Sequence, residues 1–259
     1  SLKKMHCKIS SIYYTPIKSL SFVRMPSCEI KKGIGVLNDR IFALSRNLKI
    51  DQAKIIEKEA NKRKLINFLT LKNTPVLNKY NFFYKENKLT LIKGGKELIK
   101  IEPKDSTLLI EKLMKLESTL KGPVFLLMNK QIPFFDTTNS NNISNTISLI
   151  NLKSIEDFEK KINHKVEFER FRANFYIEGV DAWDECNWIG KQIKINNISF
   201  EVIKNIPRCS ATNLQPHSDI SDFNLPSLLK KEYGNINMGV YLRPLNDGMI
   251  NVGEKISLI

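Results

Sequence analysis

Two adjacent glycines, Gly94-Gly95, constrain the fold of this chain more than any other local feature. They lie between Asn87-Lys88-Leu89-Thr90-Leu91-Ile92-Lys93 and Lys96-Glu97-Leu98-Ile99-Lys100-Ile101. A Gly-Gly pair tolerates the positive φ angles of a type I′ turn, so the two runs predict a β-hairpin. Similar short runs recur along the chain. Ile9 to Tyr14, Cys28 to Ile30 and Arg40 to Leu44 read as strands, with Gly33 and Gly35 punctuating the link between the last two. Lys194-Ile195 and Ile198-Ser199-Phe200 flank an Asn196-Asn197 turn. Gly239 to Leu242, Ile250 to Val252 and Ile256 to Ile259 complete the set.

Helical signals are fewer. Ala53, Ile55, Ile56 and Ala60 have roughly helical spacing within the basic stretch Asp51 to Leu65, which reads as a surface helix or a loop. Asp105 is positioned to cap a helix through Leu108, Leu109, Leu113 and Leu116. Ser154-Ile155-Glu156-Asp157 begins another that reaches about Ile162. Pro226 starts a short helix that Gly234 ends. Thr137 to Asn145 is rich in Asn, Ser and Thr and reads as a loop suited to gripping a ligand. Many short strands with few helices predict a β-rich, mixed α/β fold that contains a β-barrel.

The bulk numbers narrow the class. A chain of 259 residues, 42% hydrophobic, has ample material for a core. No apolar run approaches the roughly 18–20 residues of a membrane span. The basic start has no apolar stretch behind it, so no signal peptide is read, and a cytoplasmic location with reduced thiols is expected. Lys and Arg number 41 against 27 Asp and Glu, a formal charge of +14. Such a balance admits nucleic acid as a partner. The excess is mostly lysine scattered among Asn and Ile, which is also what a solvated surface of biased composition gives, and no nucleic-acid-binding motif is present.

Four cysteines, Cys7, Cys28, Cys186 and Cys209, are far apart in sequence, so no zinc knuckle or iron–sulfur spacing exists. His6, His164 and His217 are isolated as well. Cys186 lies between Trp183 and Trp188 and reads as packing. Cys209 differs from the others. It follows the β-like run Ile198 to Ile203 and stands directly after Arg208, whose positive charge favours a thiolate. A thiolate is a nucleophile and a soft metal ligand.

The segment Arg208-Cys209-Ser210-Ala211-Thr212 resembles the Arg-Cys-x-x-Thr signature of the MOSC family, the molybdenum-cofactor sulfurase C-terminal domain. Three further segments are similar to that family in the expected order. Tyr14-Thr15-Pro16-Ile17-Lys18-Ser19-Leu20 resembles the start of the MOSC N-terminal β-barrel domain. Gly35 to Arg40 is similar to the family's Gly-x-x-x-Asp-Arg, and Arg170-Phe171-Arg172-Ala173-Asn174 to its Arg-Phe-Arg-x-Asn. Weaker likeness fills the gaps. Phe68 to Pro75 carries Thr70, and has Lys72 where relatives often have arginine. Asp51 to Leu65 reads as an insertion ahead of it, and Gln215-Pro216 stands where Asp-Pro is usual.

The resemblance implies a smaller N-terminal β-barrel domain over residues 6–125 and a β-barrel MOSC domain over residues 126–259. It implies binding of the molybdenum cofactor (molybdopterin carrying molybdenum). Cys209 would be the catalytic thiolate and metal ligand. Lys18, Ser19 and Arg40 would hold the terminal phosphate, with Arg172 and Asn174 on the pterin. Thr70, Lys72, Arg208 and Thr212 complete the implied cofactor-binding set. The implied activity, of the amidoxime-reducing type, is reduction of a small N-hydroxylated substrate with electrons from a separate reductase. The alternative within the same family is a sulfur carrier that forms a persulfide on Cys209. No specific nucleic-acid partner and no membrane span are implied.

Overall fold

The computed structural model describes residues 6–135 and 146–259. The loop read at Thr137 to Asn145 lies outside the described residues. The chain opens with strands β1 (Lys8–Tyr14), β2 (Val23–Met25), β3 (Ser27–Lys31), β4 (Gly35–Val36) and β5 (Phe42–Leu44). Gly33 and Gly35, with φ of 80° and 100°, supply the turn between β3 and β4. Helix α1 (Ile50–Lys58) follows; it buries Ala53 and Ile56 and leaves Ile55 exposed.

Next comes an antiparallel meander, β6 (Asn81–Lys85), β7 (Lys88–Lys93) and β8 (Lys96–Ile101). Gly94 and Gly95 have φ of 57° and 76°, so both central residues of the turn take the left-handed conformation that only glycine adopts freely. Helix α2 (Ser106–Leu116) packs Leu109 and Leu113 inward. Its N-cap is Asp105, as the sequence suggests, but the carboxylate makes no capping hydrogen bond.

The remaining strands are β9 (Leu126–Met128), β10 (Ile147–Asn151), β11 (Phe175–Glu178), β12 (Gln192–Ile195), β13 (Ile198–Pro207), β14 (Asn237–Pro244), β15 (Gly248–Asn251) and β16 (Ile256–Leu258). Helix α3 (Leu152–Ile162) joins β10 to β11, the parallel pair, as a parallel crossover requires. It starts two residues before the expected Ser154, because the Asn151 side chain accepts a hydrogen bond from the Lys153 N–H and caps it. Helix α4 (Leu225–Tyr233) is capped by Asn224 and ends at Gly234, φ 77°.

Eight strands form one sheet in the order β16-β12-β13-β14-β10-β11-β1-β2. The expected barrels are not formed: among the described residues no sheet closes on itself. Closure would need the outer edge of β1 to carry one continuous ladder. That edge is divided. Its C-terminal half pairs with β2, and its start meets the segment before β16 through the isolated Lys8–Lys255 bridge. The expected N-terminal barrel fails for a related reason. Strands of residues 6–125 are shared among four sheets, since β1 is hydrogen-bonded to β11, β3 to β15 and β5 to β9, while β6–β8 stand alone. The fold is mixed α/β with several open sheets.

Burial follows this arrangement. Phe175, Phe200, Ile193, Val240 and their neighbours fill one core on the large sheet. A second core gathers Ile17, Leu20, Phe42, Tyr80, Phe82 and Leu109, and also Ala211 and Leu214 from the chain just past Cys209. The segment after β13 is thereby pinned to the second core while β13 itself belongs to the first. Two irregularities in the β13–β14 ladder, between Val202 and Lys204 and between Asn205 and Pro207, bend the strand before it delivers Arg208 and Cys209.

Candidate functional site

The bend in β13 opens a cleft of about 300 Å³ between the large sheet and the Ile17–Leu20 segment. That is the lower end of small-molecule site volumes. Nine of the ten residues singled out from sequence line it: Lys18, Ser19, Arg40, Thr70, Lys72, Arg172, Arg208, Cys209 and Thr212. The tenth, Asn174, is fully buried behind the wall.

Each wall has a local cause. Ile17 and Leu20 are fully buried, which pins the short segment between them. Lys18 is consequently buried too; its Nζ donates to the Phe135 carbonyl at 3.1 Å and sits 5.7 Å from the centre of the Phe68 ring. Ser19 takes a left-handed φ of 60°. Its carbonyl accepts the Leu71 N–H at 3.3 Å, which ties the Thr70–Lys72 turn to it. Within that turn the Thr70 N–H donates to Asn73 Oδ1 and the Asn73 N–H to Thr70 Oγ1, a reciprocal pair that fixes the backbone.

Arg40 also has a left-handed φ, 54°, with its N–H on the Thr15 carbonyl at 2.6 Å. Its Nε and Nη2 donate to Asp39 Oδ2 at 3.2 and 2.9 Å, and the guanidinium lies over Phe22 and Phe135. Arg172 ends a 3-10 turn at φ 52° and donates from Nη2 to the Leu20 carbonyl at 2.9 Å. Its Nε is buried without a hydrogen-bond partner. Arg208 donates from Nε to the Met238 carbonyl and from Nη1 to the Phe171 carbonyl, while its Nη2 is buried and unpartnered. Cys209 starts the next 3-10 turn and is exposed; Thr212 Oγ1 donates to its carbonyl at 2.8 Å.

The charge distribution is one-sided. Among the described residues Lys18, Arg40, Lys72, Arg172 and Arg208 line the cleft, and no Asp or Glu does. Burial above all, with repulsion from Arg40 and Arg208 beside it, lowers the Arg172 pKa to about 10. Burial lowers that of Arg208 as well. Both stay cationic at neutral pH. Burial pushes Cys7 and Cys28 up to about 12 and Cys186 up to about 11, which leaves them inert.

Such a donor set fits a polyanionic group with a polar, heteroatom-rich body. Among the described residues two buried guanidinium nitrogens, Arg172 Nε and Arg208 Nη2, have no hydrogen-bond partner, and an unpaired buried donor costs free energy. A metal here would find one soft protein ligand, Cys209. Among the described residues there is no group of three or more His, Cys, Asp or Glu able to hold a metal ion, so its other ligands would come from a cofactor.

Sequence reasoning missed Phe22 and Tyr241, which line the cleft. It named Arg170 within a motif but gave it no role; the wholly buried side chain grips Asp222 bidentately at 2.7 and 2.8 Å and the Asn213 carbonyl at 3.2 Å. That grip holds the loop beyond Cys209.

Comparison with known proteins agrees with the motifs. Residues 136–257 match the MOSC domain family model. Mitochondrial amidoxime reducing component 2 of Rattus norvegicus is 30% identical over 87 residues, 34% of this chain and 25% of that protein. The Homo sapiens protein of the same name is 28% identical over 80 residues, 31% of this chain and 23% of its own. The alignments thus span about a quarter of the curated relatives' length. Among solved structures, the YUAD protein from Bacillus subtilis aligns over 99% of this chain and 97% of its own at 12% identity, with a TM-score of 0.46.

Proposed function

Because the chain carries, over residues 136–257, a domain of the MOSC family, we propose that it is a molybdenum-cofactor-dependent oxidoreductase. Its substrates are small N-hydroxylated compounds and its electrons come from a separate reductase. The observation that carries this reading is an exposed thiol, Cys209, in a cleft that the described residues line with five cations and no carboxylate. The amidoxime-reducing names of the relatives support the substrate class.

In this reading residues 6–125 supply the anion grip and residues 126–259 the thiol. Lys18, Ser19 and Arg40 hold the terminal phosphate through charge-assisted hydrogen bonds. Arg172 and Arg208 face the pterin from the cleft wall. Thr70 and Lys72 close the open side, and Thr212 fixes the turn that presents Cys209. When bound, the cofactor supplies the two-electron chemistry that removes oxygen from an N–OH group. The thiolate of Cys209 is the soft protein ligand that helps set its potential. Phe22 and Phe171 restrict water at the same wall.

The test is metal analysis and pterin fluorescence on protein purified from a host that makes the cofactor. Reduction of benzamidoxime with a chemical electron donor is then assayed. Molybdenum and pterin are expected in the purified protein, and Cys209→Ser is expected to lose nearly all turnover while Cys7→Ser, Cys28→Ser and Cys186→Ser stay active. A Cys209→Ser rate near wild type refutes the ligand role. Absent reduction, with Cys209 accepting persulfide sulfur from a cysteine desulfurase, makes the chain a sulfur carrier instead.

A further inference from the structure

We propose that Asn174 touches no bound group and is a positioning residue that aims Arg40 into the cleft. This rests on the phosphate-gripping role of Arg40 proposed above and changes the place of Asn174 within it. A carboxamide has two N–H donors and one acceptor oxygen. Asn174 Nδ2 donates to the Tyr13 carbonyl and to Asp39 Oδ2, both at 3.1 Å. Both donors are therefore used. Asn174 Oδ1 accepts from the Ser148 N–H and Oγ, both at 3.1 Å, and from Arg40 Nη2 at 3.3 Å. Its backbone is engaged as well, with its N–H on Ser148 Oγ at 2.9 Å and its carbonyl on the Tyr13 N–H at 2.7 Å. The side chain is wholly buried and absent from the cleft wall. Nothing is left with which to hold a ligand.

What the carboxamide does hold is the anion clamp. It contacts Arg40 directly and Asp39, the carboxylate to which Arg40 is bound. Asp39 Oδ1 in turn accepts the Thr15 N–H at 3.0 Å, so it cannot rotate to follow Arg40. Asn174 thereby joins three separate pieces of chain: the end of β1, the turn before β5 and the edge of β10. Arg40 needs this support because its backbone is left-handed at φ 54° and its side chain is only partly buried. Without Asn174 the Asp39 carboxylate loses one donor, and the guanidinium loses one of its fixed acceptors.

A positioning residue and a ligand leave different signatures in a double-mutant cycle. Inorganic pyrophosphate is the probe, titrated calorimetrically into the full chain. Arg40→Ala and Asn174→Ala are each expected to weaken binding about ten-fold or more, the worth of one charge-assisted hydrogen bond. The double variant is expected to bind no more weakly than Arg40→Ala alone. Losses that multiply overturn the proposal. A second readout needs no anion. The Arg40 Nε–H resonance, identified by its absence in Arg40→Lys, is expected to broaden or shift in Asn174→Ala while the rest of the amide spectrum holds. Should Asn174→Ala not fold, Asn174→Asp keeps the volume and turns an oxygen toward Asp39, and Ser148→Ala removes one support of Oδ1. If wild type does not bind pyrophosphate, the phosphate-grip reading fails by itself. The Arg40 resonance then decides the positioning role, and an unchanged signal in these variants refutes it.

Discussion

The Arg170–Asp222 pair offers a stability test whose size follows from its burial. Arg170 has no exposed side-chain surface, whereas the Asp222 side chain is 29% exposed. Asp222→Ala removes two charge-assisted bonds from Arg170 and one from Gln215 Nε2 at 3.0 Å. The guanidinium is left buried with Glu167, more than half exposed, and the Asn213 carbonyl. Breaking one side of a buried pair costs roughly 3–5 kcal/mol, and exposed pairs contribute about 0–1. Partial exposure of Asp222 and the surviving Glu167 contact put the loss at the lower end, about 3 kcal/mol. The pH dependence has a definite sign. Hydrogen bonds from Arg170 lower the Asp222 pKa; at Glu167 burial raises it, and the Arg170 hydrogen bond, a backbone hydrogen bond and the attraction of the guanidinium together bring it below the ordinary value. A carboxylate with a lowered native pKa stabilises fully above its unfolded value, about 3.9 for Asp, and loses that contribution as pH falls through the native value. The gap between wild type and Asp222→Ala is therefore expected to be full at pH 7 and to narrow below about pH 4. Urea denaturation across this range, with the m value as a check on two-state unfolding, measures it. A gap under about 1 kcal/mol at pH 7, or one that does not narrow in acid, would refute the assignment.

Other outcomes follow from the same geometry. Arg40→Ala is expected to lower cofactor affinity roughly ten- to a hundred-fold, read as pterin content of the purified protein with the fold intact. Gly239→Ala is expected to destabilise by about 3 kcal/mol or more: at φ +88° its Cβ would stand 2.6 Å from the Leu149 carbonyl oxygen, a backbone atom that cannot step aside, and thermal unfolding measures the loss. Binding to duplex DNA is expected to be weak and to vanish by moderate salt, as a purely electrostatic contact does; a gel-shift titration against salt decides, and sequence-specific binding at physiological salt reverses the reading.

The hairpin was legible because its cause is local: two glycines at two positive φ positions. Barrel closure was not legible, because it depends on what pairs with the outer edge of β1. No local signal says that β2 takes half of that edge and the Lys8–Lys255 bridge the start. The cleft residues were legible through their motifs, yet the roles of similar neighbours were not. Arg170 and Arg172 stand two apart in one motif. One is saturated by Asp222, Glu167 and Asn213; the other has a buried Nε with no partner. Residue type cannot separate them; only the position of Asp222, fifty residues on, does. Asn174 was recognised as part of the pattern for a related reason. A carboxamide is equally suited to a pterin edge and to an internal junction, and only its filled hydrogen bonds distinguish the two. Phe22 and Tyr241 carry no sequence mark that separates a cleft wall from a core.

Three cleft residues, Ser19, Arg40 and Arg172, are non-glycine residues in the left-handed region. Each costs on the order of 1–2 kcal/mol relative to ordinary backbone. Burial of Arg172, and after it repulsion from Arg40 and Arg208, adds to this. The chain can hold such a site only because rigid neighbours over-determine it: buried Ile17 and Leu20 beside Ser19, the Asp39–Asn174 junction behind Arg40, and the Leu20 carbonyl under Arg172. An anion that filled the cleft would offset the repulsion among its cations. Binding and folding would then be linked, and under the proposed function the cofactor is expected to raise the stability of the chain with the logarithm of its concentration, read as a rise in Tm on titration.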